Sequence, residues 1–374
     1  MKKLIATLAA FGMMAGSAIA ADWNFYGSAR VTTFWTNEDI KDGDDTTNLG
    51  AALQGNARIG AKVKVSDELT GRFEYGAADG NANIRLLYGE WNFGAGKLLI
   101  GQDYTPTYLP VSNQVYASDN GMGGIGEFYG GREGQIKLTF GGFEIAIVEP
   151  ASTTIRDARP GKPDIDDVAY GGIVTPQYLA DVANYAADAA DTGEVTFPRV
   201  EVAYKMNMDA WNFAVAAGYQ TFDLDTVREE SVDAYVLVAR FGLDMGAFKA
   251  GVQGHMGQNI ANLGGSIGYS DLKEDAAAAE YNGTDVKDTD AYGVELILGY
   301  TVNDMFGLEA GVGYAEAETD DDTDTLEVTS VYLQAPITLA PGVYVVPEVG
   351  YISEELGADE VDSTYFGAKW QINF

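Results

Sequence analysis

The sequence predicts an all-β protein: a transmembrane antiparallel β-barrel of about sixteen strands, with short turns at one end and long loops at the other. Three observations point there. No run of eighteen apolar residues exists beyond the first twenty positions, although hydrophobic residues make up 46% of the chain, so no membrane helix is available. Apolar and polar residues alternate with period two through segment after segment. The links between those segments are short and long in turn, an asymmetry that a membrane barrel has and a soluble sandwich has no reason to keep.

Composition agrees. The chain carries 22 Tyr, 16 Phe and 5 Trp for aromatic girdles, 46 Gly for tight turns and only 10 Pro. It has no cysteine, which excludes disulfides, thiolate metal sites and thiol catalysis. Residues 1–20 read as a secretory leader, with Lys2 and Lys3 in the charged region, Leu4 to Met14 in the apolar region, and Ala18-Ile19-Ala20 at the cleavage site. The barrel domain is then residues 21–374. Removing the two lysines leaves 21 basic against 56 acidic residues, a net charge of −35. So acidic a chain repels nucleic acid and attracts cations.

Taken in order, the first segment (22–36) sets Trp23, Phe25, Ala29, Val31 and Trp35 on one face and Asn24, Ser28, Arg30 and Thr32 on the other. The second (51–66) opposes Leu53, Ala57, Ile59, Ala61 and Val63 to Gln54, Asn56, Arg58 and Lys62. The same rhythm predicts strands at 69–78, 82–93, 96–103, 132–140, 143–149, 197–207 and 210–221. It continues at 231–243, 246–257, 290–301, 306–317, 325–338, 343–352 and 362–374. In a barrel the apolar face meets lipid and the polar face lines the lumen. Arg30, Arg58 and Arg85 therefore point inward, since an arginine at the lipid midplane costs about 2–4 kcal/mol.

Short links are Ser66-Asp67-Glu68, Gly94-Ala95, Gly141-Gly142, Asn207-Met208-Asp209, Asp244-Met245, Asn303-Asp304 and Pro341-Gly342. Long ones are 37–50, 104–131, 150–196, 258–289 and 353–361, within which the Ala-rich stretches 179–191 and 274–281 are helix candidates. The loops hold most of the acid, Asp320-Asp321-Asp322 among it, without the spacing of a calcium loop. They read as solvated tips, with bridging of divalent cations to lipopolysaccharide phosphates as the sharper alternative.

The last segment sets Phe366, Ala368, Trp370, Ile372 and Phe374 in alternation and ends on the aromatic residue. This resembles the C-terminal signature by which the barrel assembly machinery recognises outer-membrane proteins, with Phe374 and Trp370 as its aromatic positions. Further upstream, Asn24-Phe25-Tyr26-Gly27-Ser28-Ala29, Ala57-Arg58-Ile59-Gly60-Ala61-Lys62, Glu68-Leu69-Thr70-Gly71-Arg72-Phe73-Glu74-Tyr75 and Arg85-Leu86-Leu87-Tyr88-Gly89 occur in the order found in the general, non-specific trimeric porins. The chain resembles that family closely from 22 to about 150 and at its final strand. Between them only the rhythm of strands and loops matches.

The resemblance implies an outer-membrane homotrimer in lipid and lipopolysaccharide, passing small hydrophilic solutes and ions by diffusion and needing no cofactor. It also implies a third outer loop folded into the lumen. Segment 104–131 takes that place, and Asp119 and Glu127 would supply its acids. By motif the facing arginines fall on Arg58, Arg85 and Arg132. Ser28 stands where the family has a lysine, with Arg30 one pleat away on the same face and Arg72 nearby. Arginines against two carboxylates, below acidic loops, predict a mild cation preference.

Two other classes compete. A barrel hydrolase needs a Ser-His or Asp-His constellation, yet the only histidine, His255, reads as a wet residue near the lumen rim. A substrate-selective channel remains the alternative: Tyr104, Tyr108, Tyr116 and Tyr129 in the third-loop region could form a sugar slide, and loop packing explains them as well.

Overall fold

The alternation closes into a barrel in the computed structural model, which describes residues 21–157, 193–224, 230–268, 272, 276–281, 285–322 and 324–374. Eighteen hydrogen-bonded segments form one sheet, and two pairs of them are halves of one interrupted strand, so sixteen strands make the ring. In chain order these are β1 (Asp22–Ile40), β2 (Thr46–Leu53 and Arg58–Lys64), β3 (Leu69–Gly76), β4 (Asn83–Asn92), β5 (Lys97–Tyr104) and β6 (Arg132–Phe140). Next come β7 (Phe143–Val148), β8 (Arg199–Asn207), β9 (Trp211–Asp223), β10 (Ser231–Met245) and β11 (Phe248–Gln258). The ring ends with β12 (Thr289–Asn303), β13 (Phe306–Thr319), β14 (Leu326–Gln334 and Ile337–Ala340), β15 (Val343–Leu356) and β16 (Asp359–Asn373). Each strand pairs antiparallel with the next, and β16 closes onto β1 from Ser28↔Asn373 to Ile40↔Val361.

Alternation fixes the register. Phe25 is 66% exposed towards lipid, whereas Phe34, of opposite parity, is 5% exposed and faces the interior. A slip of one residue would turn every arginine and glutamate of a strand into lipid, so one register is specified. Trp91, Phe93 and Phe140 cluster outside the barrel beside the short turns, with Phe93 and Phe140 rings 5.9 Å apart. Towards the loop end, Tyr219, Tyr292 and Tyr351 keep their rings outward and donate their hydroxyls to Asp233, Glu316 and Asp362. Such rings suit a membrane boundary, apolar on one side and wet on the other.

Three expectations about loops are corrected. The first outer connection is only 41–45, because β1 and β2 extend as a polar hairpin with Asn37 opposite Thr47 and Glu38 opposite Thr46. The last is only Gly357-Ala358, because Ser353, Glu354 and Glu355 pair with Asp362, Val361 and Glu360. Both strand ends rise beyond the apolar band, so their polar composition reads as loop although the ladder continues. Thirdly, Ala276 to Ala279 make no helix. They are at most 3% exposed and lead into Glu280–Tyr281, which pairs with Val286–Lys287 and Arg156–Asp157 in a small sheet. Alanine fills that narrow space because it is small. The leader (1–20) and the stretch 179–191 lie outside the described residues.

Candidate functional site

The segment between β5 and β6 leaves the wall at Tyr104, crosses the lumen and returns at Arg132; it is called loop 3 here, and it carries one helical turn, Tyr116–Asp119. A loop inside a barrel has backbone groups that the ladder cannot satisfy. Wall side chains do it instead. Thr107 N–H donates to Glu201 of β8 (2.9 Å), Asn113 N–H to Glu309 of β13 (3.0 Å) and Val115 N–H to Glu348 of β15 (2.7 Å). Gln253 of β11 accepts from Phe128 N–H (2.9 Å) and donates to Leu109 C=O (2.6 Å). The Tyr116 ring stacks on Tyr365 of β16 at 3.7 Å.

Close approach is possible because of two glycines. A Cβ at Gly126 (φ +106°) would lie 2.4 Å from Val294 O, and one at Gly313 would lie 2.1 Å from Ile125 O. The loop therefore lies on β12 and β13, and Leu109, Ile125 and Phe128 form a buried cluster with wall residues Val236 and Val328. A second loop roofs the first. Ile260, Leu263 and Ile267, between β11 and β12, join the same cluster, and Gly268 N–H donates to Gly124 C=O at 3.0 Å.

Open space remains between loop 3 and β1–β6, and a smaller cavity of about 330 Å³ lies on the other side, lined by Val111, Asn113, Arg240 and Glu309 among others. The larger space, of about 590 Å³, is lined by Asn56, Arg85, Tyr104, Tyr108, Asp119, Tyr129, Arg132 and Ser266, among others. Glu74 is the hub of its wall. It is 1% exposed and accepts from Arg85 (2.8 Å), Arg72 (2.9 Å) and Tyr26 (2.8 Å), with Arg58 at 3.4 Å. Arg85 also donates to Asn56, which in turn donates to the Ser118 carbonyl on loop 3. The interruption of β2 at 54–57 brings Asn56 there, as irregularities beside a functional site commonly do.

The two loop acids part company. Asp119 faces the open side, where it is bridged between Arg30 and Lys369 (2.9 Å). Glu127 is 2% exposed and turned to the wall, accepting from Val111 N–H at 3.2 Å. Burial pushes its carboxyl up to about 8, partly offset by hydrogen bonds from Val111 and Ser112 and by the charge of Arg240. Near it, Glu295 is 1% exposed, with neither carboxylate oxygen hydrogen-bonded. Arg132 lies over the Tyr104 ring at 5.6 Å, and no carboxylate oxygen of the described residues lies within 4.0 Å of it. The Tyr104 and Tyr108 rings stack at 4.8 Å, and Tyr129 meets Tyr108 edge-on at 5.1 Å.

So Arg30, Arg58, Arg72, Arg85, Arg132 and Asp119 gather on the open side, whereas Glu127 sits behind the loop. Sequence reasoning missed Lys369 and the anchors Glu201, Gln253, Glu309 and Glu348. Their inward parity marks them as lumen residues and nothing more. His255 needs correction: it faces inward but is 5% exposed, covered by Phe128, with Nδ1 3.1 Å from Gly126 O.

No curated protein sequence matches the chain. The outer-membrane channel DcaP of Acinetobacter baumannii superposes with a TM-score of 0.71 at 13% identity, covering 95% of this chain and 97% of that one. An anion-selective porin from Comamonas acidovorans gives 0.58 at 12% identity over 95% and 100%. The trimer form of OmpT, an outer-membrane protein of Vibrio cholerae, gives 0.53 at 16% over 94% and 99%. These likenesses establish the fold. The family model of the Gram-negative porins matches residues 6–355, nearly the whole length. This chain belongs to the Gram-negative porins, channels of the outer membrane.

Proposed function

We propose that this porin is a passive diffusion channel for small hydrophilic solutes and ions, working as a homotrimer, with a positively charged narrow section below an acidic mouth. The observation that carries the charge assignment is the fate of the loop acids. On this side of the barrel Arg58, Arg72 and Arg85 share the single carboxylate of Glu74, Arg30 and Lys369 share that of Asp119, and Arg132, which lines the cavity with Arg85, feels the charge of Glu133 without an ion-pair contact. The mild cation preference expected from sequence weighed the arginines against Asp119 and Glu127, without fixing which of the two faces the lumen, below acidic loops. With Asp119 held by Arg30 and Lys369 and Glu127 buried, the narrow section favours anions. Cation attraction then belongs to the mouth, where Asp320 and Asp321 lie.

The channel reading is favoured over an enzyme because His255 is covered by loop 3 and donates its Nδ1–H to the backbone carbonyl of Gly126. Liposome swelling tests it. Neutral sugars should enter at rates that fall smoothly with size, and vesicles that do not swell in any sugar would contradict it. On unheated detergent gels the protein should run near three times its heated mass.

A further inference from the structure

The aromatic group on the open side is not explained by loop packing alone. Tyr104, Tyr108 and Tyr129 are each only partly buried, and all three line the same 590 Å³ cavity as Arg132. The three phenolic rings border the cavity as a packed group, Tyr104 stacked on Tyr108 and Tyr129 edge-on to it, an arrangement that mere solvation of the lumen does not call for. Beside them Arg132 differs from its neighbours. Arg58, Arg72 and Arg85 share Glu74, and Arg30 has Asp119, but Arg132 has no carboxylate within 4.0 Å among the described residues. Its Nη1 is buried without a hydrogen-bond partner. A guanidinium held over a tyrosine ring, with no carboxylate in ion-pair contact and Glu133 acting on it only from beyond that distance, keeps part of its electrostatic demand for an anion. Asp119, the acid lining the same cavity, does not meet that demand, because Arg30 and Lys369 already hold it.

We infer that Arg132, Tyr104, Tyr108 and Tyr129 form a binding subsite in the channel for small carboxylates with a flat, aromatic body. This rests on the channel reading above. The carboxylate is drawn to the Arg132 guanidinium, and the ring packs against the partly exposed Tyr108 and Tyr129, where edge-to-face or offset contact favours planar over puckered hydrocarbon. Ser266, exposed on the roofing loop, supplies a hydroxyl at the edge of the same space. A neutral sugar would use the rings and leave Arg132 unanswered. Chloride or acetate would answer the charge and leave the rings bare. Weak binding of this kind speeds passage at low solute concentration and shows as block of the small-ion current.

The test is single-channel current of the full-length protein in KCl, with benzoate, cyclohexanecarboxylate, acetate and neutral benzyl alcohol added in turn at constant ionic strength. Benzoate should block at concentrations about tenfold or more below acetate and several-fold below cyclohexanecarboxylate, with benzyl alcohol weakest. Arg132→Gln should raise the half-blocking benzoate concentration about tenfold or more. Tyr108→Leu should raise it about two- to tenfold for benzoate and leave acetate alone. If Arg132→Gln yields no channels, Arg132→Lys, which keeps the charge and loses the flat face, should give an intermediate value. Equal block by benzoate and acetate, or wild-type block in the Arg132 and Tyr108 variants, overturns the subsite. A wild type that conducts KCl without benzoate block overturns the subsite alone; one that opens no channel overturns the channel reading.

Discussion

Glu74 shows how a single residue sets the chemistry of the wall. Three arginines within 3.4 Å of one buried carboxylate are tolerable only because that carboxylate is there. Of the three, Arg85 is the most buried, at 4% side-chain exposure, so it loses most if Glu74 is removed. Glu74→Gln should destabilise the barrel by about 3 kcal/mol, the usual penalty for stranding a buried charge. A fall of the heat-induced gel transition would register it, and an unchanged transition would count against the hub. Glu127 is the second case. Its folded-state value, about 8, lies above the ordinary 4.5, so docking of loop 3 is favoured by the protonated form. That contribution is complete below about pH 4.5 and is lost as pH rises towards 8. Hydrogen exchange across 111–128, corrected for intrinsic rate, should therefore accelerate from pH 5 to pH 9 in the wild type and stay level in Glu127→Gln. Parallel behaviour of the two would refute it. The inward arginines were legible because polar parity forces them off lipid. Lys369 was not, since it meets Asp119 across 250 residues of sequence and the closing seam.

Among the elements, the strands were the easiest to read and loop 3 the hardest. Alternation located all sixteen barrel strands, because each face has one solvent for its whole length. The strand ends failed where polar residues continue the ladder beyond the apolar band, as at Glu38 and Glu355. Loop 3 has no period, and its position depends on Glu201, Glu309 and Glu348, which the sequence separates by up to 233 residues from their partners. Gly126 offers a test of that seating. Gly126→Val would overpack the contact with Val294, at a cost of roughly 1–3 kcal/mol, and push the loop towards β1–β6. Unitary conductance should fall, and a wild-type conductance would show that the loop is not held there. The closing strand carries a further proposal. Phe374 is 73% exposed and exchanges backbone hydrogen bonds with Gly27 at 2.7 and 3.0 Å, completing the aromatic row that includes Trp370. Deleting Phe374 should lower the outer-membrane yield several-fold while the channels that do form keep wild-type conductance.

Across the whole molecule, charge is distributed along the path of a solute. The chain is acidic by 33 charges, yet the section proposed as the narrowest gathers arginines around Glu74 and Asp119. The net figure misleads because charge acts locally: screening lengths are about 8 Å at physiological salt and about 30 Å when dilute. The Debye length decides which part of the channel an ion senses. Concentrated salt leaves only the arginine section, and dilute salt adds the acidic mouth. The most direct measurement is the reversal potential across a planar bilayer, first in a KCl gradient near 1 M and again near 0.1 M, for the wild type and for Arg58→Gln/Arg85→Gln. The wild type should prefer chloride at high salt and shift towards potassium as salt is lowered, and the double variant should lose the chloride preference. A potassium preference at every concentration, unchanged by the two substitutions, would contradict a positively charged narrow section.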